Sequence, residues 1–358
     1  MALSQTCKSN AYDAQSLILL IENEISGEYH IETVEEAIAC WREVCSDPLL
    51  KQWLERDSCS LSSDSGAFAS STIGVQHVQA AAGYHVMVAK MLRTIPQAQR
   101  LQTVSSPDIV GMTVLHCAAR LGSLESLKVI LSSFPDHAQR LQLVNMRDRS
   151  ERTVLHCAAD SGNSKSLQYL LGLWPESSEQ MQVVCLEDRH GRTLLHCAAS
   201  SGNLECIKTI LALFPEAHHS RTVTMQGKKA GTLLHYAADS GNVDTILFLL
   251  NLLPESQYLQ AVCMPDLIGR TALHRAASSG NSEAINSILG LLPASQRLQF
   301  ASMQDHAERT ALHCAVNFCH PGSVSAILAL LSESDRLTVL NIRDRNGFTV
   351  MQTVWSKC

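Results

Sequence analysis

Six copies of Thr-x-Leu-His end on His116, His156, His196, His235, His274 and His313, and in four of them a cysteine follows directly, at Cys117, Cys157, Cys197 and Cys314. An imidazole beside a thiol is the pair a cysteine nucleophile needs, and the same two residue types ligate zinc. The spacing argues against both chemistries. The histidines lie 40, 40, 39, 39 and 39 residues apart, whereas a catalytic histidine occurs once, beside an orienting partner. The 13 cysteines contain no C-x-x-C pair, so the usual zinc spacing is missing. Two further clusters fare no better. Gly227-Lys-Lys-Ala-Gly231 lacks the GxxxxGK[ST] order of a phosphate loop. Cys40 and Cys45 near His30 carry nothing that separates them from cysteines on a helix face. We therefore expect no catalytic residue, no metal and no cofactor.

A period of 39–40 residues marks a stack of supersecondary units, each too small to bury its own apolar face. Full units are expected at 113–152, 153–192, 193–231, 232–270, 271–309 and 310–348. A degenerate capping unit at 74–112 precedes them, because His77 and Pro96 each sit 39 residues before His116 and Pro135. A truncated unit closes the array at 349–358. Within the third full unit, Leu195, Ala198 and Ala199 share one face of a first helix, and Ile207, Ile210 and Leu211 share one face of a second. Gly202 between them suits a left-handed turn, and Asn203 suits the next N-cap. After each second helix, segments such as Leu253-Pro-Glu-Ser-Gln-Tyr-Leu-Gln260 and Leu292-Pro-Ala-Ser-Gln-Arg-Leu-Gln299 predict one extra helical turn, with Leu259 or Leu298 packed inward. Equivalent cysteines in such a stack stand about 10 Å apart, beyond disulfide reach. They read as small apolar residues of a reducing compartment.

These signatures resemble the ankyrin-repeat family, whose Thr-Pro-Leu-His-x-Ala-Ala motif opens a helix–turn–helix unit of about 33 residues. The resemblance spans residues 74–358. It departs from the family at the proline, replaced here by Val114, Val154, Leu194, Leu233, Ala272 and Ala311, and in the longer unit. It implies an all-α ankyrin solenoid, a bracing role for the histidine column, and a non-enzymatic protein-binding scaffold. The elongated Leu-Pro-Glu-Ser-Gln-x-Leu variety resembles ankyrin-repeat effectors that intracellular bacteria deliver into host cells. That resemblance implies a host protein as partner and a host cytosolic location.

Residues 1–73 differ in character. They carry a net charge of −8, which leaves +2 for the rest of a chain whose total is −6. That balance does not favour nucleic acid as a partner. No apolar run reaches the ~18 residues of a membrane span, and no signal peptide is visible. A small helical domain is expected over 1–56, followed by a Ser-rich linker over 57–73. Within it, Cys40 to Leu54 resembles the second half of an F-box, with Trp41, Pro48, Leu50, Trp53 and Leu54 in the docking positions. This implies an alternative function as a substrate adaptor that recruits a host ubiquitin ligase. An enzyme confined to the N-terminal segment is disfavoured, since no paired acid and base occur there.

Positions that vary while the framework repeats are the candidate reading heads. On the hairpin tips these are Arg149, His190, Lys228, Lys229, Leu267, Ile268 and His306. On the first helices they are Arg120, Leu121, Asp160, Asp239 and Phe318. Ser200, Ser201, Ser278 and Ser279 make the middle of the helical face look poor in anchors. In the sixth unit Cys319 replaces the turn glycine, which predicts a turn rebuilt around Pro321 and Phe318 pushed outward.

Overall fold

The computed structural model describes residues 85–108, 110–227 and 231–355. The F-box-like segment, the Ser-rich linker, His77, Lys228 and Lys229 lie outside the described residues. The chain divides into two compact units, residues 1–149 and 150–358.

In the first unit α1 (His85–Thr94) and α2 (Gln97–Ser105) precede one three-helix repeat: α3 (Val114–Arg120), α4 (Leu124–Ser132) and α5 (His137–Val144). α1 packs on α4, and α2 on α5. The degenerate repeat thus supplies a second and a third helix in register with those that follow.

The second unit holds α6 (Val154–Asp160), α7 (Ser164–Leu171), α8 (Ser177–Val184), α9 (Leu194–Ser201), α10 (Leu204–Leu211), a 3-10 turn (Glu216–His218), α11 (His219–Thr224), α12 (Leu233–Ser240), α13 (Val243–Asn251), α14 (Glu255–Cys263), α15 (Ala272–Ser279), α16 (Ser282–Gly290), α17 (Ala294–Ala301), α18 (Ala311–Asn317), α19 (Pro321–Ala329), α20 (Glu333–Leu340) and α21 (Val350–Trp355). First helices stack on first helices, α6–α9–α12–α15–α18–α21, and second helices run beside them as α7–α10–α13–α16–α19. No strand forms among the described residues; a single bridge joins Arg343 and Thr349. The fold is the all-α repeat stack that the period implies.

Local chemistry sets each boundary. Gly202 takes φ +68° to end α9, and the Asn203 carboxamide accepts the Cys206 N–H at 3.0 Å to start α10. Asn163 and Asn242 cap α7 and α13 in the same way. The alanine pairs that follow five of the six histidines are fully buried, as at Ala198–Ala199 and Ala276–Ala277; the sixth unit has Ala315 and Val316 there. Without long side chains there, the second helix can approach closely.

Two expectations need correction. The segment after each second helix is a separate helix of its own rather than one extra turn. Leu259 and Leu298 are only half-buried; the core takes Ala261 with Val262, and Phe300 with Ala301. A half-turn earlier, the third helix spends its inner face on a polar task. Arg100, Gln180, His219, Arg297 and Arg336 each donate to carbonyls at the end of the preceding helix, for example Arg297 Nε to Leu292 O at 3.1 Å. Those carbonyls have no partner within their own helix. The second correction concerns the sixth unit. Its turn is not rebuilt: Cys319 itself adopts the left-handed conformation at φ +59°, and His320 N–H still reaches Ala315 O at 2.9 Å. Pro321 simply opens α19, where a missing N–H costs nothing.

Candidate partner-binding face

The histidines are structural. In each copy the threonine N–H donates to the histidine Nδ1, at 3.0 Å for Thr232–His235 and 3.2 Å for Thr271–His274. Nδ1 is therefore the acceptor and Nε2 carries the proton. Nε2 of His235, His274 and His313 donates to the carbonyl 35 residues on, at Arg270, Arg309 and Phe348. Each ring thus ties its own helix start to the next connector. Burial pushes His196 and His274 down to about 4 and lowers His235 and His313. His196 is the exception in bonding: the Gly231 backbone still acts on the ring, but its Nε2 makes no well-formed hydrogen bond.

Five of the described cysteines are set against reactivity. Burial raises the Cys197, Cys314, Cys185 and Cys263 thiols, and pushes Cys206 up to about 11. A protonated thiol is neither a nucleophile nor a metal ligand. None of the eight described cysteines is in a disulfide, and no group of three metal-ligating side chains gathers among the described residues.

What faces outward is a strip of first helices joined to a ridge of hairpins. The connectors at Asp108, Asp188, Asp266, Asp305 and Asp344 each fold around that aspartate, whereas Gly227 holds the position in the connector before α12. In the best-formed case Asp188 Oδ1 accepts the N–H groups of His190 and Arg192 at 2.8 and 2.9 Å, while Arg192 bonds Oδ2 at 2.8 Å. Asp266 and Asp305 repeat this pattern of N–H groups. Burial alone would raise these carboxyls, but the N–H groups and guanidiniums hold all three below their usual range. They are buried framework, not reading heads.

The candidate positions separate on this scaffold. Arg149, His190, Leu267, Ile268, His306 and Phe318 are exposed. Asp160, Asp239 and Arg120 are half-buried. Leu121 packs against Met112 and Cys117, so it belongs largely to the core rather than to a reading surface. Ser201, Ser240 and Ser278 donate to carbonyls of their own helices and offer little to a partner.

The middle of the face is not poor in anchors, contrary to the expectation from its serines. Tyr236 and Arg275 stand where other units place a cysteine directly after the histidine. Tyr236 is half-buried and meets the His196 ring edge-on, centroids 5.4 Å apart. Arg275 spans two carboxylates, with Nη2 and Nε on Asp266 Oδ2 at 2.7 and 3.1 Å and Nη1 on Asp239 Oδ2 at 3.3 Å. By taking Asp266, it leaves Arg270 with only a 3.9 Å ion pair to Asp305. Burial raises Asp239, with Arg275 opposing, so that carboxylate is incompletely compensated. The departure from cysteine at these two positions was the available signal in the sequence.

Comparison with curated proteins finds no match. The family model described as Ankyrin repeats (3 copies) matches residues 77–180, 135–223, 177–258, 213–297 and 234–338. Those overlapping matches cover well over half of the chain. The chain belongs to the ankyrin-repeat family.

Proposed function

We propose that this chain is a non-enzymatic protein-binding scaffold whose contact surface is the first-helix face around Tyr236, Asp239 and Arg275. The observation that carries this reading is the three-residue charge cluster Asp239–Arg275–Asp266 beside a half-buried tyrosine, flanked by serines that leave room for a partner. Tyrosine and arginine are the residue types that dominate interface energetics. A photo-crosslinking residue at position 236 tests it against the same residue at Asn286, which is exposed on a second helix. A partner captured from 286 and not from 236 would place the contact elsewhere.

The finer reading is a bacterial effector acting on a host protein in the host cytosol. It rests on the elongated Leu-Pro-Glu-Ser-Gln-x-Leu repeat variety, which resembles such effectors. A translocation reporter fused to the full chain, expressed in an intracellular bacterium, tests it; no signal inside the host cell would remove it. The alternative of a ligase adaptor rests on Trp41, Pro48, Leu50, Trp53 and Leu54 alone. Failure of purified ligase adaptor protein to bind the full chain would dismiss it. No helix among the described residues is long and apolar enough to cross a membrane.

A further inference from the structure

Asn346 is the only asparagine of the chain that precedes a glycine. It stands at the last described hairpin tip, Asp344-Arg-Asn-Gly347, where both Asn346 and Gly347 are exposed. That pair of residues carries a latent reaction. The backbone nitrogen after an asparagine can attack the carboxamide carbon, and a side chain on the following residue ordinarily obstructs the approach. Gly347 has none, and the space where its Cβ would lie is open.

Other asparagines are restrained. Asn163, Asn203 and Asn242 each accept a backbone N–H into the side chain, and Asn281 Nδ2 donates to Asp239 O at 2.7 Å. The Asn346 carboxamide makes no hydrogen bond among the described residues. One bond opposes the attack: Gly347 N–H donates to Asp344 O at 2.8 Å, so the turn must open first. Opening is easier here than in the turns between full units. Asp344, which accepts the N–H groups of Asn346 and Phe348 at 2.9 Å each, is half-buried, whereas Asp188, Asp266 and Asp305 are buried. Among the described residues only α21 follows, packed on α18. Local openings of low cost gather in such sparsely packed segments.

We propose that Asn346 is a site of spontaneous deamidation, and that its product releases α21 from the stack. Gly347 N forms a bond to Asn346 Cγ, the Cγ–Nδ2 bond breaks, and ammonia leaves with the proton that Gly347 N gives up. Water then opens the cyclic imide at either carbonyl, giving aspartate or isoaspartate. Aspartate places a second carboxylate beside Asp344. Isoaspartate adds a methylene to the main chain, so the two N–H groups no longer converge on Asp344 Oδ1. Phe348 O is also the acceptor for His313 Nε2 at 3.2 Å, the brace from α18 to this connector. Losing the turn therefore loosens the brace, and α21 with it.

Ageing the full-length chain in warm, mildly alkaline buffer tests this, with peptide mass spectrometry to locate each change and isoaspartate methyltransferase labelling to identify the rearranged product. Conversion makes the peptide about 1 Da heavier. Asn346 should convert faster than any other described asparagine by roughly tenfold, and slower than in the urea-unfolded chain by a similar factor. In the converted fraction, hydrogen exchange should quicken across Val350–Trp355 and stay unchanged in α9. Asn346→Gln, whose longer side chain closes the ring poorly, should neither convert nor lose that protection on ageing. The proposal is overturned if Asn346 stays intact over the time in which the unfolded chain converts. It is equally overturned if Asn163, Asn281 or Asn286, each followed by serine, converts as fast, or if Val350–Trp355 keeps its protection in converted chains.

Discussion

At the scale of single residues, the left-handed positions divide into those that need glycine and those that tolerate something else. Gly241 needs it: a Cβ there would lie 2.5 Å from Asn281 Cγ and Oδ1. Cys319 occupies the equivalent turn in the sixth unit at φ +59° with an exposed side chain, so its cost is conformational. An L-residue in that region loses about 1–2 kcal/mol, partly offset by the extra freedom glycine has when unfolded. Cys319→Gly should therefore stabilise the protein by about 0.5–1 kcal/mol, read as a higher urea midpoint with unchanged slope. A lower midpoint would mean that the thiol makes a contact worth more than the strain.

The histidine column also makes a residue-scale prediction. His196 and His274 have folded pKa values near 4, against an unfolded value of about 6.5. Between those values the unfolded chain binds more protons than the folded one, so stability rises with pH there and is flat above it. The stabilisation is complete above about pH 6.5 and is lost as pH falls toward 4. It amounts to roughly 3 kcal/mol for each ring. Urea midpoints at pH 7, 5.5 and 4.5 should fall steeply. Gln352 shows how to separate bracing from titration, since its Oε1 accepts the Thr349 N–H at 3.0 Å where other copies use histidine. His274→Gln should keep the cap, lose the bond to Arg309 O at a cost of about 1 kcal/mol, and flatten the pH slope. An unchanged slope would show that His274 is not among the groups that titrate.

At the scale of elements, the third helix is held by its polar clamp as much as by its apolar face. Arginine, glutamine and histidine all serve, at Arg297, Gln180 and His219, so the requirement is a donor of the right reach rather than a charge. Arg297→Leu should cost about 1.5–3 kcal/mol, the worth of a charged donor to a carbonyl, whereas Arg297→Gln should recover much of it. Equal destabilisation by the two would show that the guanidinium charge, or its 3.4 Å contact to Leu330 O, matters instead. The clamp was not legible in the sequence. Three residue types share the task, and the offset from the proline is one residue longer at Gln180 than at His219 or Arg297. The helix starts were legible because Thr-x-x-His fixes both halves of a cap at once, and the left-handed glycines because Ser-Gly-Asn repeats.

At the scale of the whole molecule, repetition decides what can be read. Framework residues repeat and so announce their role. A binding surface consists of departures, and the informative departures were hidden where a framework residue was expected. Cys117, Cys157, Cys197 and Cys314 made the position after histidine look like core, so Tyr236 and Arg275 did not stand out. The structure separates them: the four cysteines are buried, whereas Tyr236 and Arg275 remain half-exposed. Arg275→Cys restores the common residue and tests whether this departure serves the fold or a partner. Asp266 would keep its two N–H bonds, and Arg270 lies free to take its second oxygen, as Arg309 does for Asp305 at 2.8 Å. Stability should therefore shift by less than about 1 kcal/mol. Crosslinking from position 236 should fall severalfold if Arg275 and Asp239 belong to the contact, since losing one partner of a desolvated pair weakens association strongly. Large destabilisation with unchanged crosslinking would instead make Arg275 a brace between the fourth and fifth repeats, and would leave Tyr236 as the lone anchor of that face.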